Sequence, residues 1–333
     1  MRPPLTPTSH LPSSRRRVLA TGLAAASSVL LPTLATAQTT PPGSTLRLGF
    51  IGPGKKPASA TGWALSQGYL QKELAPLGYS AVSTHVFPNG PDLNEALLSG
   101  AIDVGIYGDT PAVVARAKGL DGRLIGFDNV GMNVWLLTPR GGVTSVKELE
   151  GKVVAVALGS YMHRYVIGLL KEAGIQKTTK VVYMLPRDGD AALERGSIAA
   201  FAAPINTGPL LVSKGFPLID EADRHPGLLG SSVIVASNKA LQQNPSLGAA
   251  WQRARRAALQ DIRKDPERYY AFHADVSGFP VEAVKASYPL SQFPEEAYPS
   301  AWIQSLEDVK AFLRAENLIR QDFAVSDWKV AGL

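Results

Sequence analysis

Ile102-Asp103-Val104-Gly105-Ile106-Tyr107-Gly108-Asp109-Thr110-Pro111 is the stretch on which the reading of this chain turns. The run ending at Ile106 is apolar, β-branched and bounded by turn formers, which predicts a buried strand. Gly108 to Pro111 then opens a short helix, predicted from Pro111 to Lys118 and stopped by Gly119. Thr110 is the expected N-cap, and Pro111 fits the first helical position, where a missing N–H costs nothing. A strand feeding a tight turn and a helix leaves unpaired backbone N–H groups at the turn, where an anion can bind. Most such turns in α/β proteins hold only water, so a ligand role here needs support from elsewhere in the chain.

The flanking sequence supplies the frame. Upstream come a strand Leu46–Ile51, a loop with Lys55 and Lys56, a helix Trp63–Leu74, a strand Ala81–Phe87, a turn Pro88–Pro91 and a helix Asp92–Ser99. Downstream, Leu124–Phe127 and Asn133–Thr138 read as strands. Ser145–Lys152 reads as a capped turn leading into a strand Val153–Leu158, and Tyr161–Ala173 as a helix after Gly159-Ser160. Strands alternating with helices imply a mostly parallel sheet with crossover helices. The first turn of the Tyr161 helix holds His163 and Arg164 and no acid, the reverse of what the helix dipole attracts. Either the site is left for an external anion, or both side chains face solvent.

An internal echo extends the pattern. Ala96-Leu97-Leu98-Ser99-Gly100-Ala101-Ile102 resembles Ala192-Leu193-Glu194-Arg195-Gly196-Ser197-Ile198, with the glycines 96 positions apart (196 − 100). The same offset takes Lys118-Gly119 to Lys214-Gly215 and Thr110 to Asn206, making both expected N-caps. Two α/β lobes of similar build, each offering a strand-to-helix turn to a shared cleft, follow from this. A strand Leu228–Ala236 returns the chain to the first lobe. Helices at Pro245–Arg263, Pro266–His273, Val281–Ser287 and Ala301–Glu316 form a tail. The expected division is 45–138 plus 232–333 for lobe 1 and 139–231 for lobe 2, with a hinge at the two crossings.

Composition narrows the chemistry. The chain has 333 residues, 45% hydrophobic, enough for one or two domains with ample core. It has no cysteine, which excludes disulfides, thiolate metal sites and cysteine nucleophiles. Its five histidines show no metal-binding spacing, and no cofactor is expected. The net charge of +6 is concentrated at the start: residues 1–37 hold four arginines and no acid. The remainder is only mildly basic, without a basic run interleaved with aromatics, so no nucleic-acid partner is expected.

Ser14-Arg15-Arg16-Arg17-Val18-Leu19, the apolar run Ala20–Leu31 and Ala35-Thr36-Ala37 have the order of an export signal over residues 1–37. It resembles a twin-arginine signal, which implies that export machinery as a partner. The apolar run is too short for a membrane span. A soluble periplasmic protein with a flexible lead over 38–44 is the expectation.

From Leu46 to about Leu318 the chain resembles a known family. Pro88-Asn89-Gly90-Pro91-Asp92-Leu93-Asn94-Glu95-Ala96-Leu97, then Ser99 to Gly105 and Gly108-Asp109-Thr110-Pro111-Ala112, are similar to the aliphatic sulfonate, taurine and nitrate binding proteins of ABC importers. Glu148-Leu149-Glu150-Gly151-Lys152 followed by Gly159-Ser160 looks like the opening of that family's second lobe. The resemblance implies a type II-like, two-lobed periplasmic binding protein. It would act as a monomer, close on a small anionic ligand and deliver it to an ABC permease and its ATPase. The ligand's head would be held by backbone N–H groups and hydroxyls at Gly108, Asp109 and Thr110 and at Gly159, Ser160 and Tyr161, with Asn89 and Gly90 at an earlier turn. In the second lobe Phe201-Ala202-Ala203-Pro204-Ile205-Asn206 stands where the family often has Trp with a downstream Pro, adding Pro204 and Asn206 to the candidate set.

An aliphatic sulfonate is the expected ligand, because backbone N–H groups suit a permanently ionised head; taurine, nitrate and thiamine precursors are the alternatives. Asp109 is the awkward member. It must bond neighbouring backbone N–H groups or meet an ammonium group on the ligand. Trp63 and Tyr107 are candidates for contact with an apolar tail, and core packing is the other reading of Trp63. An exported enzyme on the same fold is the competing class, but a nucleophilic Ser160 would have only His163 nearby and no orienting acid.

Overall fold

The computed structural model describes residue 41 and residues 43–333. The predicted export signal, 1–37, and most of the lead lie outside the described residues. Ser44, placed in that lead, already belongs to the first strand and pairs with Tyr79.

Among the described residues, ten strands form two five-stranded sheets. The first contains β1 (Ser44–Ile51), β2 (Tyr79–Phe87), β3 (Val104–Gly108), β4 (Gly122–Met132) and β10 (Gly230–Ser237), in the order β2-β1-β3-β10-β4. The second contains β5 (Trp135–Leu137), β6 (Val153–Val156), β7 (Lys180–Tyr183), β8 (Ala200–Ala203) and β9 (Leu218–Glu221), in the order β7-β6-β8-β5-β9. β1 pairs in parallel with β2 and β3, as β6 does with β7 and β8. In each sheet one strand runs against the rest: β10 between β3 and β4, and β5 between β8 and β9. These are the two strands that follow the crossings between sheets. The sheets are therefore mixed, each with one reversed strand.

The 96-residue echo is a structural repeat. Moved by that offset, the helix Gly90–Leu98 falls on the helix Pro186–Glu194, and β3 falls on β8. Both faces of each sheet are buried. Along β10, Ile234 and Ala236 enter one core while Val233 and Val235 enter another. Along β8, Ala200 and Ala202 alternate in the same way with Phe201 and Ala203. The tail helices Leu247–Lys264 and Ser300–Ala315 cover opposite faces of the first sheet, through Trp251 and Leu306 respectively.

Several local expectations change. The helix predicted over 63–74 is two helices, Ala60–Ser66 and Tyr69–Leu74, because Gly68 adopts φ 76° between them. The segment 133–138, assigned to the first lobe, contributes β5 to the second sheet instead. The crossing thus falls at Asn133-Val134. Asn133 ties it to the return crossing: its Nδ2 donates to Glu221 (3.1 Å), and its Oδ1 accepts from the Asp223 N–H (3.0 Å). Among the described residues no helix is long and apolar enough to cross a membrane.

Candidate functional site

The parallel strands of each sheet end at turns that start helices. After β3 the helix runs Asp109–Ala117, and Gly108 rather than Thr110 is its N-cap. Pro111 lies in the first turn, where no helical N–H partner is lost, so the helix can start two residues before it. Thr110 is instead a donor. Its hydroxyl gives a hydrogen bond to Asp109 Oδ1 at 2.8 Å.

Asp109 is fully buried. Its Oδ2 accepts from the Ser231 backbone N–H at 2.8 Å and from the Ser231 hydroxyl at 3.1 Å. One of its partners is thus a backbone N–H, supplied by the return strand rather than by its own turn. The other partner crosses between sheets. Arg164, 2% exposed and on the second-sheet helix Tyr161–Glu172, places Nη2 3.5 Å from Asp109 Oδ2 and Nε 3.5 Å from Thr110 Oγ1. Arg164 also donates to the carbonyls of Gly227 (3.0 Å) and Leu229 (2.7 Å) on the return crossing. Of the two readings of the basic helix start, solvent exposure fails for Arg164.

Tyr161 joins the two strand-to-helix turns. Its ring packs against Gly108 and against Gly230, where a Cβ would lie 2.4 Å from the ring. Its buried hydroxyl neighbours the Ile205 backbone N–H without completing a hydrogen bond. Burial pushes that hydroxyl's pKa up. Gly159 is exposed, at φ 76°, and gives its N–H to His163 Nδ1 (3.3 Å). Ser160 caps its helix by accepting the His163 N–H (3.3 Å), and its hydroxyl donates to Ala157 O (2.6 Å). Burial lowers the His163 pKa.

Asn89 caps the helix Gly90–Leu98 through the Asp92 N–H (2.9 Å). Gly90 lies so close to Pro111 that a Cβ would meet its ring at 2.3 Å, which brings this turn beside the Asp109 turn. A groove of about 220 Å³ opens here, lined by Pro91, Asn94, Pro111, Val114 and Gly159.

The second turn of the repeat faces elsewhere. Asn206 stands at the N-cap of Thr207–Ser213, but its side chain makes no capping bond. It adopts φ 64°, ψ −51°, with the Thr207 N–H bonded to Ile205 O (2.8 Å), a γ-turn of the strained hand. Its N–H donates to Ser287 Oγ (2.6 Å), and its amide lies 3.4 Å from His273, both in the tail. Pro204 is part-buried just before it and accepts the Gly208 N–H (2.8 Å). The two echo turns do not form one clamp by themselves; Tyr161 lies between them.

Other side chains near these turns settle into the core. Phe201 is fully buried against Gly189, and Met162 is buried among second-sheet residues. Trp63 is buried and donates to Asp261 (2.9 Å), and Tyr107 is buried with its hydroxyl unbonded. Lys55 and Lys56 are exposed. Arg164, Ser231 and Gly230 were not singled out as site residues from the sequence. The only signal was a basic helix start without an acid, and Gly-Ser-Ser opening the return strand.

These features define a two-lobed fold of the periplasmic-binding-protein type, with helix starts from both sheets meeting between them. Residues 82–269, more than half of the chain, match the NMT1/THI5-like family, and the chain belongs to it. A protein of Escherichia coli (strain K12), named for aliphatic sulfonates binding, is 34% identical over 126 residues. The match covers 37% of this chain and 40% of that relative, so the chain spans about two fifths of its length. The periplasmic aliphatic sulphonate binding protein SsuA from Escherichia coli has a similar structure. Its TM-score is 0.72 at 22% identity, over 88% of this chain and 99% of SsuA. The desulfurization enzyme DSZB shares the fold at TM-score 0.68 and 16% identity, over 86% and 96% of the two chains.

Proposed function

We propose that this protein is the extracytoplasmic solute-binding component of an ABC importer. It captures a small anionic ligand, an aliphatic sulfonate above all, by closure of its two lobes and hands it to a membrane permease coupled to an ATPase. Residues 1–37 direct export through the twin-arginine route to the periplasm. The binding groups are Gly108, Asp109 and Thr110 on the first lobe and Gly159, Ser160 and Tyr161 on the second, with Asn89, Gly90, Pro204 and Asn206 around them.

One observation carries this reading: the starts of helices Asp109–Ala117 and Tyr161–Glu172, from different sheets, meet through Asp109 and Arg164. Helix starts concentrate N–H donors, and placing two of them together suits an anion. The names of the relatives favour a sulfonate. A catalytic role finds less support. The chain has no cysteine, and Ser160 Oγ is engaged with Ala157 O and the His163 N–H rather than with an imidazole base.

Calorimetric titration with short alkanesulfonates, nitrate and uncharged analogues tests the proposal. Binding of a sulfonate, weakened in a Thr110→Ala/Ser160→Ala variant that still folds, is the expected result. Binding of uncharged analogues only would remove the anion site.

A further inference from the structure

We propose that Tyr161 is a specificity-determining residue: its ring fills the space where strand ends of the two sheets converge, and so sets the largest ligand on which the lobes close. The inference rests on the solute-binding reading above and deepens it by naming what limits the ligand's size.

Tyr161 opens a helix of the second sheet, yet the walls around its ring belong largely to the first. It is 6% exposed. Gly108, the last residue of β3, lies on one side: a Cβ there would stand 3.7 Å from the ring's Cδ1. Gly230, the first residue of β10, lies closer still, with 2.4 Å from a Cβ to Cδ2. At both positions the first sheet presents no side chain. The ring therefore rests on backbone, which cannot give way as the tip of a flexible side chain can. In an interior packed this tightly, a larger ligand cannot be seated by compressing its neighbours. It has to take the ring's place.

The far end of the ring separates this role from plain core packing. The hydroxyl reaches the Ile205 N–H, on the turn after β8, and is buried there with no hydrogen bond completed. Asn206 Oδ1, on the next residue of that turn, is likewise buried without a partner. Buried polar atoms are rarely left in this condition, because each has given up water for nothing. Phenylalanine would fill the same socket between Gly108 and Gly230 without that penalty. The orphaned hydroxyl is accounted for if a ligand's polar group completes its bonding when the lobes close. The two parts of the side chain thus have separate effects: the ring limits size, and the hydroxyl adds affinity for whatever fits.

The test titrates the full chain and three variants with ethanesulfonate and benzenesulfonate, which share a head and differ in bulk. The unmodified protein is expected to bind ethanesulfonate at least about tenfold more tightly than benzenesulfonate. Tyr161→Ala should bind benzenesulfonate at least about tenfold more tightly than the unmodified protein does. Tyr161→Phe should keep the preference for the smaller probe while weakening both. Leu169→Ala is the control: Leu169 lies on the same helix, 4% exposed in the second-sheet core, and its loss loosens the helix without emptying the socket. An unchanged preference in Tyr161→Ala, or an equal gain in Leu169→Ala, overturns the inference and leaves the sulfonate-binding reading standing. Failure of both probes to bind any of the four proteins overturns the two together. Equal affinity of the two probes for the unmodified protein also overturns the size limit, and that comparison needs no variant to fold.

Discussion

Gly230 and Tyr161 touch so closely that a single added carbon does not fit between them. A Cβ on Gly230 would stand 2.4 Å from Tyr161 Cδ2, 2.6 Å from Cγ and 3.0 Å from Cβ. The last two atoms lie near the helix backbone, so rotating the ring away does not relieve the clash. Gly230→Ala is therefore expected to destabilise the protein by about 1–3 kcal/mol, the usual cost of overpacking. In a Tyr161→Ala background the cost should largely vanish. Urea unfolding of the four proteins measures both effects, and a neutral Gly230→Ala would show that Tyr161 does not pack there.

The buried charges give a second prediction. Arg164→Met leaves Asp109 without its cation and is expected to cost about 3–5 kcal/mol. Asp109→Asn/Arg164→Met should cost clearly less than Arg164→Met alone, because it removes the uncompensated charge. A double-mutant cycle by chemical denaturation reads the difference. Additive losses would mean that the pair is not coupled.

Asn206 offers a test of backbone strain. Its φ of 64° in a γ-turn disfavours any side chain with a Cβ. Asn206→Gly relieves that strain and gives up only a 3.4 Å contact to His273, while the N–H bond to Ser287 is kept. Stability within about 1 kcal/mol of the original, or above it, is expected for Asn206→Gly, and a clear loss for Asn206→Ala. If thermal unfolding ranks the two the other way, the side chain matters more than the turn.

His273 sets a pH dependence. It is buried, with Tyr269 Oη 3.2 Å from Nδ1, and burial lowers its pKa from 6.5 to about 3. The unfolded chain takes up a proton near the ordinary value, whereas the folded chain does not. This residue's contribution to stability is therefore whole above about pH 6.5 and falls as the pH drops toward 3, by about 1.4 kcal/mol per unit. His273→Gln should flatten the stability profile between pH 6.5 and 4. An unchanged slope in that variant would assign the acid sensitivity elsewhere.

The architecture was readable because its signals are local and repeated. The Gly100 and Gly196 helix stops, and the apolar runs after them, announce β3 and β8 without tertiary knowledge. Short strands such as β7 and β9 escaped because four residues with mixed polarity carry no period. The candidate site was legible in its helix starts but not in the contacts that join them. Gly108-Asp109-Thr110 and Gly159-Ser160-Tyr161 stand at helix starts as expected. Arg164 and Ser231 reach Asp109 from 55 and 122 positions away, and no local pattern encodes such a meeting. Phe201 shows the same limit: side-chain alternation on β8 turns it into the core, against Gly189.

The position of β10 has a consequence for how the chain is made. β4 pairs with no strand of the first sheet but β10, and β10 also separates it from β3. Residues 122–132 therefore wait for residues 230–237 before they have a partner. The second sheet draws on one uninterrupted stretch, 135–221. Contacts between residues close in sequence form sooner than distant ones. On a ribosome, the half of the molecule that begins first finishes last, and its partly built sheet carries two unfilled strand edges while the other half is already complete.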